Sequence, residues 1–329
     1  MVKIRDIAEL AKVSPATVSR VLNGRGGVSL SKKKRVLAAI AETGYRPNEI
    51  ARSLYKKSSR IIGYVIPSIL NIFLSEIGRA IEEEAFDNGY KVILCNTDES
   101  PEKESAYIDM LVSMNADGII IISNNDSLEA EVRECPIPVV VLDQKIDARH
   151  FAASVQADNF QGGYLAAEHL VRCGCRHIVH MRGPQKYISG VERFRGYLTA
   201  CEKYRREPAY IDCGYDFESG LACSRELLKR FPEADGILAS SDLTALSLYK
   251  VLCERGTRVP DEMMIVGYDN IRLSTLSTPE LTTIAQPVEK IGRLAVKLLI
   301  GPARSRTNCQ PVSILPVSLK IRQTTKIKP

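Results

Sequence analysis

The chain has 329 residues, 45% hydrophobic and 26% charged, ordinary globular values in a length too great for one typical core. No stretch is apolar enough to span a bilayer, no secretory leader pattern opens the chain, and nine scattered cysteines suit reduced thiols, so a soluble cytoplasmic protein of at least two domains is expected. The net charge of +6 is unevenly spread: residues 1–60 hold 14 Lys and Arg against four acids, net +10, and 61–329 hold 31 against 35, net −4, so only one end suits a polyanion.

Ile4, Ile7, Ala8 and Ala11 recur at helical spacing until Val13-Ser14-Pro15 breaks the run. Ser14 is a good N-cap and Pro15 a good first helical residue, and Val18, Val21 and Leu22 give the buried stripe of a second helix running to about Asn23-Gly24. Two short helices around a tight turn, the second exposing Ala16, Thr17, Ser19 and Arg20, form the helix-turn-helix pattern. Ser29 or Ser31 can cap a third helix with Val36, Leu37, Ile40 and Ala41 facing inward. Its first turn carries Lys32, Lys33, Lys34 and Arg35, where the helix dipole disfavours cations and a phosphate backbone would reward them.

From Arg60 onward short β-branched runs alternate with helical stretches. Ile61–Ile66, Lys91–Leu94, Gly118–Ile122 and Val139–Leu142 read as buried parallel strands, and a second set comes around His177–Met181, Ala209–Asp212, Gly236–Ala239 and Met264–Val266. The simplest assembly is two doubly wound α/β lobes with a ligand cleft between them. There is no GxGxxG, Walker loop, HExxH or GxSxG, and the four histidines (His150, His169, His177, His180) have no metal-ligand spacing. No enzyme chemistry, cofactor or metal is therefore predicted; Cys173-Gly174-Cys175 alone resembles a metal or redox pair, with the wrong spacing.

Ile4 to Asn23, then Val28-Ser29, Gly44-Tyr45-Arg46-Pro47-Asn48 and Ala51-Arg52-Ser53-Leu54, resembles the LacI/GalR family of repressors. The likeness extends through Asn71–Ser75, Asp158–Gly163, Gly183-Pro184 with Arg193 and Gly196, Val266–Asn270 and Leu281–Pro287. It implies an all-α helix-turn-helix domain over 1–47, a hinge helix and linker over 48–60, and a periplasmic-binding-protein-like core over 61–329. Lobe 1 would take about 61–157 and 287–329 and lobe 2 about 158–286, with crossings near Asp158, Thr283–Gln286 and Pro311–Val317.

The resemblance places Pro15, Ala16 and Arg20 at base-reading positions in the major groove, and Thr17, Ser19, Asn23, Ser29, Tyr45 and Asn48 mainly on phosphates. Ser14, Ala51 and Arg52 complete the DNA-contacting set, and Leu54 would wedge into the minor groove from a hinge that folds only on DNA. The ligand-facing candidates are Phe73, Asp143, Arg193, Tyr215, Asp242, Asp269 and Gln286: carboxylates and an amide for hydroxyls, a guanidinium fork, and aromatic faces for C–H surface. Ile72, Leu74 and Ser241 depart from the family's common Pro, aromatic and Asn.

This set is similar to that of ribose-type repressors, with a purine nucleobase as rival ligand and a phosphoprotein partner as another mode of control. The expected partners are operator DNA bound as a pseudo-palindrome, a second copy of the chain, and a small-molecule effector, with no membrane. The other classes weighed are an enzyme on a doubly wound fold and a binding protein without DNA contact.

Overall fold

The computed structural model describes residues 2–22, 26–45, 58–125, 127–144, 152–301 and 312–326, and the chain falls into two units, 1–59 and 60–329. In the first, α1 (Ile4–Leu10), α2 (Pro15–Leu22) and α3 (Leu30–Thr43) close over Ile7, Ala8, Ala11, Val18, Val36 and Ala39, with Ile4, Val13, Val21, Leu22, Ile40 and Tyr45 packed around them. Ser14 Oγ accepts from the Thr17 N–H at 3.3 Å, which starts α2 at the proline. Gly44 ends α3 in the left-handed conformation, φ 63°, where a side chain is disfavoured.

One expectation about α3 fails. Leu37 and Ala41 are exposed and Ala39 is buried instead, because the face begun by Val36 continues at spacings of three and four, through Ala39, Ile40 and Thr43; Leu37 and Ala41 lie about 100° off it. Ser29 takes the N-cap position of α3, yet its side chain makes no capping bond.

The second unit contains two six-stranded sheets. The first comprises β1 (Ile61–Ile66), β2 (Lys91–Asn96), β3 (Gly118–Ile121), β4 (Val139–Leu142), β5 (Ala152–Ala157) and β11 (Ser313–Leu315), in the order β11-β5-β4-β3-β1-β2. The second comprises β6 (Ile178–Arg182), β7 (Ala209–Asp212), β8 (Gly236–Leu238), β9 (Met264–Asp269), β10 (Thr282–Ala285) and β12 (Ser318–Lys320), in the order β12-β10-β9-β8-β6-β7. Every pairing is parallel except β10 with β12. Helices supply the crossovers: α4 (Ile72–Asp87), α5 (Pro101–Ser113), α6 (Leu128–Glu134), α7 (Asn159–Arg172), α8 (Ile188–Lys203), α9 (Phe217–Arg230), α10 (Asp242–Glu254) and α11 (Val288–Ile300). β3 and β4 are buried along their whole length, as strands covered on both faces must be.

The chain passes between lobes after β5, between β10 and α11, and between β11 and β12. Assigning all of 287–329 to lobe 1 is therefore incorrect. Residues 318–326 belong to lobe 2: β12 pairs with β10, the Thr324 carbonyl accepts from Ile265 N–H at 3.0 Å, and Thr324 Oγ1 accepts from Thr282 N–H at 2.8 Å. An odd number of crossings leaves the end of the chain in the lobe opposite to the one where it began. Among the described residues no helix is long and apolar enough to cross a membrane.

Candidate functional site

On the first unit, Ser14, Pro15, Ala16 and Arg20 are exposed along the start and outer face of α2, with Thr17 and Ser19 half-buried beside them. Thr17 Oγ1 lies 3.0 Å from Ser14 Oγ, so these two hydroxyls also serve the helix start. Ser29 is exposed and Tyr45 half-buried against the helical core. Lys32, Lys33, Lys34 and Arg35 are all exposed, and no acid occupies the first turn of α3. The expected contacts Asn23, Asn48, Ala51, Arg52 and Leu54 lie outside the described residues.

In the second unit, a cavity of about 610 Å³ lies between the lobes, a size suited to a small organic molecule. Loops at the carboxyl ends of both sheets form it. From lobe 1 come Phe73 on the first turn of α4 and Asp143 just after β4; from lobe 2 come Arg193 on α8, Tyr215 after β7 and Asp269 ending β9. Asp143 and Asp269 have left-handed φ values of 58° and 111°. Such backbone strain in a non-glycine residue persists only where surrounding structure enforces it.

Arg193 organises the cluster. It is 6% exposed, donates from Nε to Asn159 Oδ1 at 2.9 Å and from Nη1 to the Ser240 carbonyl at 2.8 Å. The guanidinium carbon lies 3.6 Å from the centroid of the Tyr268 ring, and Nη2 lies 3.8 Å from Asp269 Oδ1. Asn159 also donates to Asp143 Oδ1 at 3.1 Å, joining carboxylates of both lobes to one cation. α7 and α8 can lie close enough for this because each carries a glycine at the crossing. A Cβ on Gly163 would sit 2.0 Å from the Arg193 carbonyl oxygen, and one on Gly196 2.0 Å from that of Phe160.

Burial raises the pKa of Asp143, with Arg193, Ser189 and Asn159 opposing it. The same desolvation pushes Asp269 up to about 7 against the pull of Arg193 and Gln286, with Asp143 and Glu76 adding repulsion. Two carboxylates thus share one fixed cation, and Asp269 titrates near neutrality.

Two expected ligand residues do not face this cavity. Asp242 is fully buried and accepts from the Ile271 N–H at 2.8 Å and from Thr283 Oγ1 at 2.5 Å; its two oxygens bind the start of α10 to the segment after β9 and to β10. It is not the N-cap either, since Ser241 accepts from Thr244 N–H. Gln286 lies behind the cleft and donates from Nε2 to Asp269 Oδ1 at 2.7 Å, so it orients that carboxylate.

The expected set omitted Asn159, Tyr268, Ser189 and Tyr187. Asn159 is adjacent to the crossing residue Asp158, and Tyr268 precedes Asp269 on a strand; neither position signals that its side chain faces Arg193. Tyr187 lies nearly parallel to Tyr215, with ring centroids 6.1 Å apart, and both line the cavity together with Ser189. The enclosed hydroxyl of Tyr215 has no hydrogen-bond partner among the described residues.

Residues 3–48 match the family of bacterial regulatory proteins of the lacI type, and residues 167–325 match a periplasmic binding protein-like domain. A ribose operon repressor of Halalkalibacterium halodurans is 39% identical over 99% of this chain and 98% of its own. The ribose operon repressor of Bacillus subtilis is 36% identical over 99% of both, and catabolite control protein A of Priestia megaterium 35% identical over 99% of both. Among solved structures, a lac repressor dimer bound to operator and an anti-inducer superposes with a TM-score of 0.88 at 29% identity, covering 98% of both chains. A LacI family regulator of Enterococcus faecium with bound ribose gives 0.73 at 30% identity, covering 82% of this chain and all of its own. With two helices and a turn ahead of a two-lobed parallel-sheet core, and relatives alike along its whole length, the chain belongs to the lacI family of bacterial regulatory proteins.

Proposed function

We propose that this protein is a homodimeric transcriptional repressor that reads a pseudo-palindromic operator through α2 and is controlled by ribose or a closely related sugar in the interlobe cleft. Arg193 carries the ligand reading. Its fork is fixed from behind by Asn159 and Ser240, and Nη2 stops 3.8 Å from Asp269, beyond hydrogen-bond length. Donors of a preset planar fork thus remain for ligand oxygens, with carboxylates nearby to accept from hydroxyls and Phe73 and Tyr215 to cover C–H surface. Relatives named ribose operon repressors and a neighbour with bound ribose support the choice.

At the DNA, Pro15 and Ala16 offer no side-chain hydrogen bonds, so Arg20 supplies the polar base contact and the apolar pair reads thymine methyls or shape. A sugar regulates by binding two lobe arrangements unequally, only one of which suits operator binding. The test is operator binding by the full chain, titrated with ribose and followed by fluorescence anisotropy. Failure of ribose to change operator affinity in either direction removes it as effector.

A purine base is the second reading. The Tyr187 and Tyr215 rings, tilted only 18° from one another, suit a flat aromatic ligand, and the HTH-type transcriptional repressor PurR of Pasteurella multocida is 32% identical along 99% of both chains. Calorimetric titrations with hypoxanthine and guanine, run alongside ribose, separate the two.

A further inference from the structure

Behind the cleft is a second, much smaller cavity of about 30 Å³ at the junction of the lobes. Its lining includes Phe73, Asp143, Gln156, Ala157, Gln286 and Ile291. Phe73 and Asp143 also line the main cleft, so the small space is its inner end. Two of the connections between lobes pass here, after β5 at Ala157 and after β10 at Gln286. Gln156 is 5% exposed, and its enclosed Nε2 has no hydrogen-bond partner among the described residues. A buried amide donor without a partner is costly, whereas a space this size exceeds what one water requires.

We propose that this cavity is a binding site for a single hydroxyl oxygen, which accepts from Gln156 Nε2 and donates to the Asp143 carboxylate. The oxygen belongs to an ordered water or to a hydroxyl of the bound sugar; each can accept from the amide and donate to the carboxylate. Apart from Gln286, whose Nε2 is already given to Asp269, the remaining walls, among them Leu74, Ile77, Ile122, Leu142 and Val155, are apolar and fix the oxygen's place by excluding further water. Gln156 is then a specificity residue of the cleft, and the filled site stiffens the junction about which the lobes would move. The sugar-borne version rests on the function proposed above; the water-borne version does not.

The experiment compares the full wild-type chain with Gln156→Leu by thermal midpoint without ligand and by calorimetry with D-ribose and its monodeoxy analogues. If the oxygen is the sugar's, Gln156→Leu weakens ribose about tenfold and leaves unchanged the one analogue lacking that hydroxyl. If it is water, the substitution lowers the ligand-free midpoint by about 2–4 °C and affects all the sugars alike. A midpoint that rises, with every affinity unchanged, means a dry cavity and an orphaned amide, and overturns the proposal. Should no sugar bind the wild type, the effector assignment fails while the midpoint still reads this site. Should Gln156→Leu fail to fold, a crystal structure of the wild-type chain decides: an oxygen within about 3.2 Å of Gln156 Nε2 is expected, and an empty cavity refutes it.

Discussion

Replacing Arg193 by alanine removes the cation on which both cleft carboxylates depend. The side chain makes two hydrogen bonds, at 2.9 and 2.8 Å, and lies 3.6 Å from the Tyr268 ring centroid. Breaking a buried ion pair ordinarily costs about 3–5 kcal/mol, because a lone charge is left behind. Here the cost to folding is smaller, roughly 1–3 kcal/mol by the same reasoning, since Asp269 already titrates at about 7 and can take a proton in place of the lost cation. The loss to ligand binding has no such relief. One or two charge-assisted hydrogen bonds to the sugar, at about 1.5–3 kcal/mol each, disappear, which corresponds to roughly tenfold or more in affinity. Arg193→Lys keeps the charge without the fork and falls between the two. Calorimetry with ribose on all three proteins, with operator binding measured alongside, makes the comparison. Arg193→Ala binding ribose within threefold of wild type, or losing ligand-free operator binding to the same degree, would refute this role for the guanidinium.

Arg20→Ala is expected to lower specific operator affinity by about 1–3 kcal/mol and leave ribose binding intact, as read by anisotropy with cognate and scrambled duplexes. Gly163→Ala puts a Cβ 2.0 Å from the Arg193 carbonyl oxygen; prising α7 from α8 should cost at least about 1–3 kcal/mol in urea unfolding and weaken ribose, because Asn159 and Arg193 ride on those helices. Asp269 gives a pH signature. Sugar hydroxyls donating to its carboxylate pull its pKa down from about 7, so binding near neutrality releases protons and tightens between about pH 6 and 8, visible as a buffer-dependent calorimetric enthalpy. The sign for stability is opposite: a folded pKa above the unfolded value of about 3.9 means Asp269's contribution is best at low pH and is lost as pH rises from about 4 through 7, a trend that Asp269→Asn should flatten in the ligand-free protein.

Much of the fold was legible because buried strands and amphipathic helices leave strong periodic marks. β1, β3 and β4 are runs of branched apolar residues, and Ser14-Pro15 announces its helix. β5 reads Ala-Ala-Ser-Val-Gln-Ala and β11 only Ser-Ile-Leu; these strands take their pairing from neighbours rather than from their own hydrophobicity, so the sequence barely signals them. Arg193 and Asp269, expected at the ligand from the family resemblance, line the cleft. The site was illegible where a role depends on rotation about a helix or the depth of a loop. Asp242 and Asp269 are both acids at strand-to-helix turns, yet one is turned into the junction of α10, β9 and β10 and the other toward the guanidinium. Gln286 is absent from the lining of the main cleft, where it acts through Asp269, and borders only the small inner cavity.

The distribution of the cleft residues over the lobes also constrains how a ligand could act. Arg193, Asn159, Tyr215 and Asp269 belong to lobe 2, Asp143 and Phe73 to lobe 1. Several ties already span the gap: Asn159 to Asp143 at 3.1 Å, the Arg272 N–H to Glu76 Oε1 at 2.8 Å, and Lys186 to Glu99 at 3.7 Å. The last pair is more than half exposed on each side and contributes little, whereas Ser189 and Arg193 of lobe 2 also act on Asp143 of lobe 1. A ligand touching Arg193 alone would bind every lobe arrangement equally and shift nothing, however tight. Its regulatory effect must come from contacts to Phe73 or Asp143 made together with those to Arg193 and Asp269. Removing Phe73 should therefore reduce the ligand's effect on operator affinity by more than it reduces ligand affinity itself, whereas removing Tyr215, on the same lobe as Arg193, should reduce affinity while leaving the saturating effect on the operator unchanged. Equal behaviour of Phe73→Ala and Tyr215→Ala in paired ligand and operator titrations would mean that the coupling runs by some route other than bridging of the lobes.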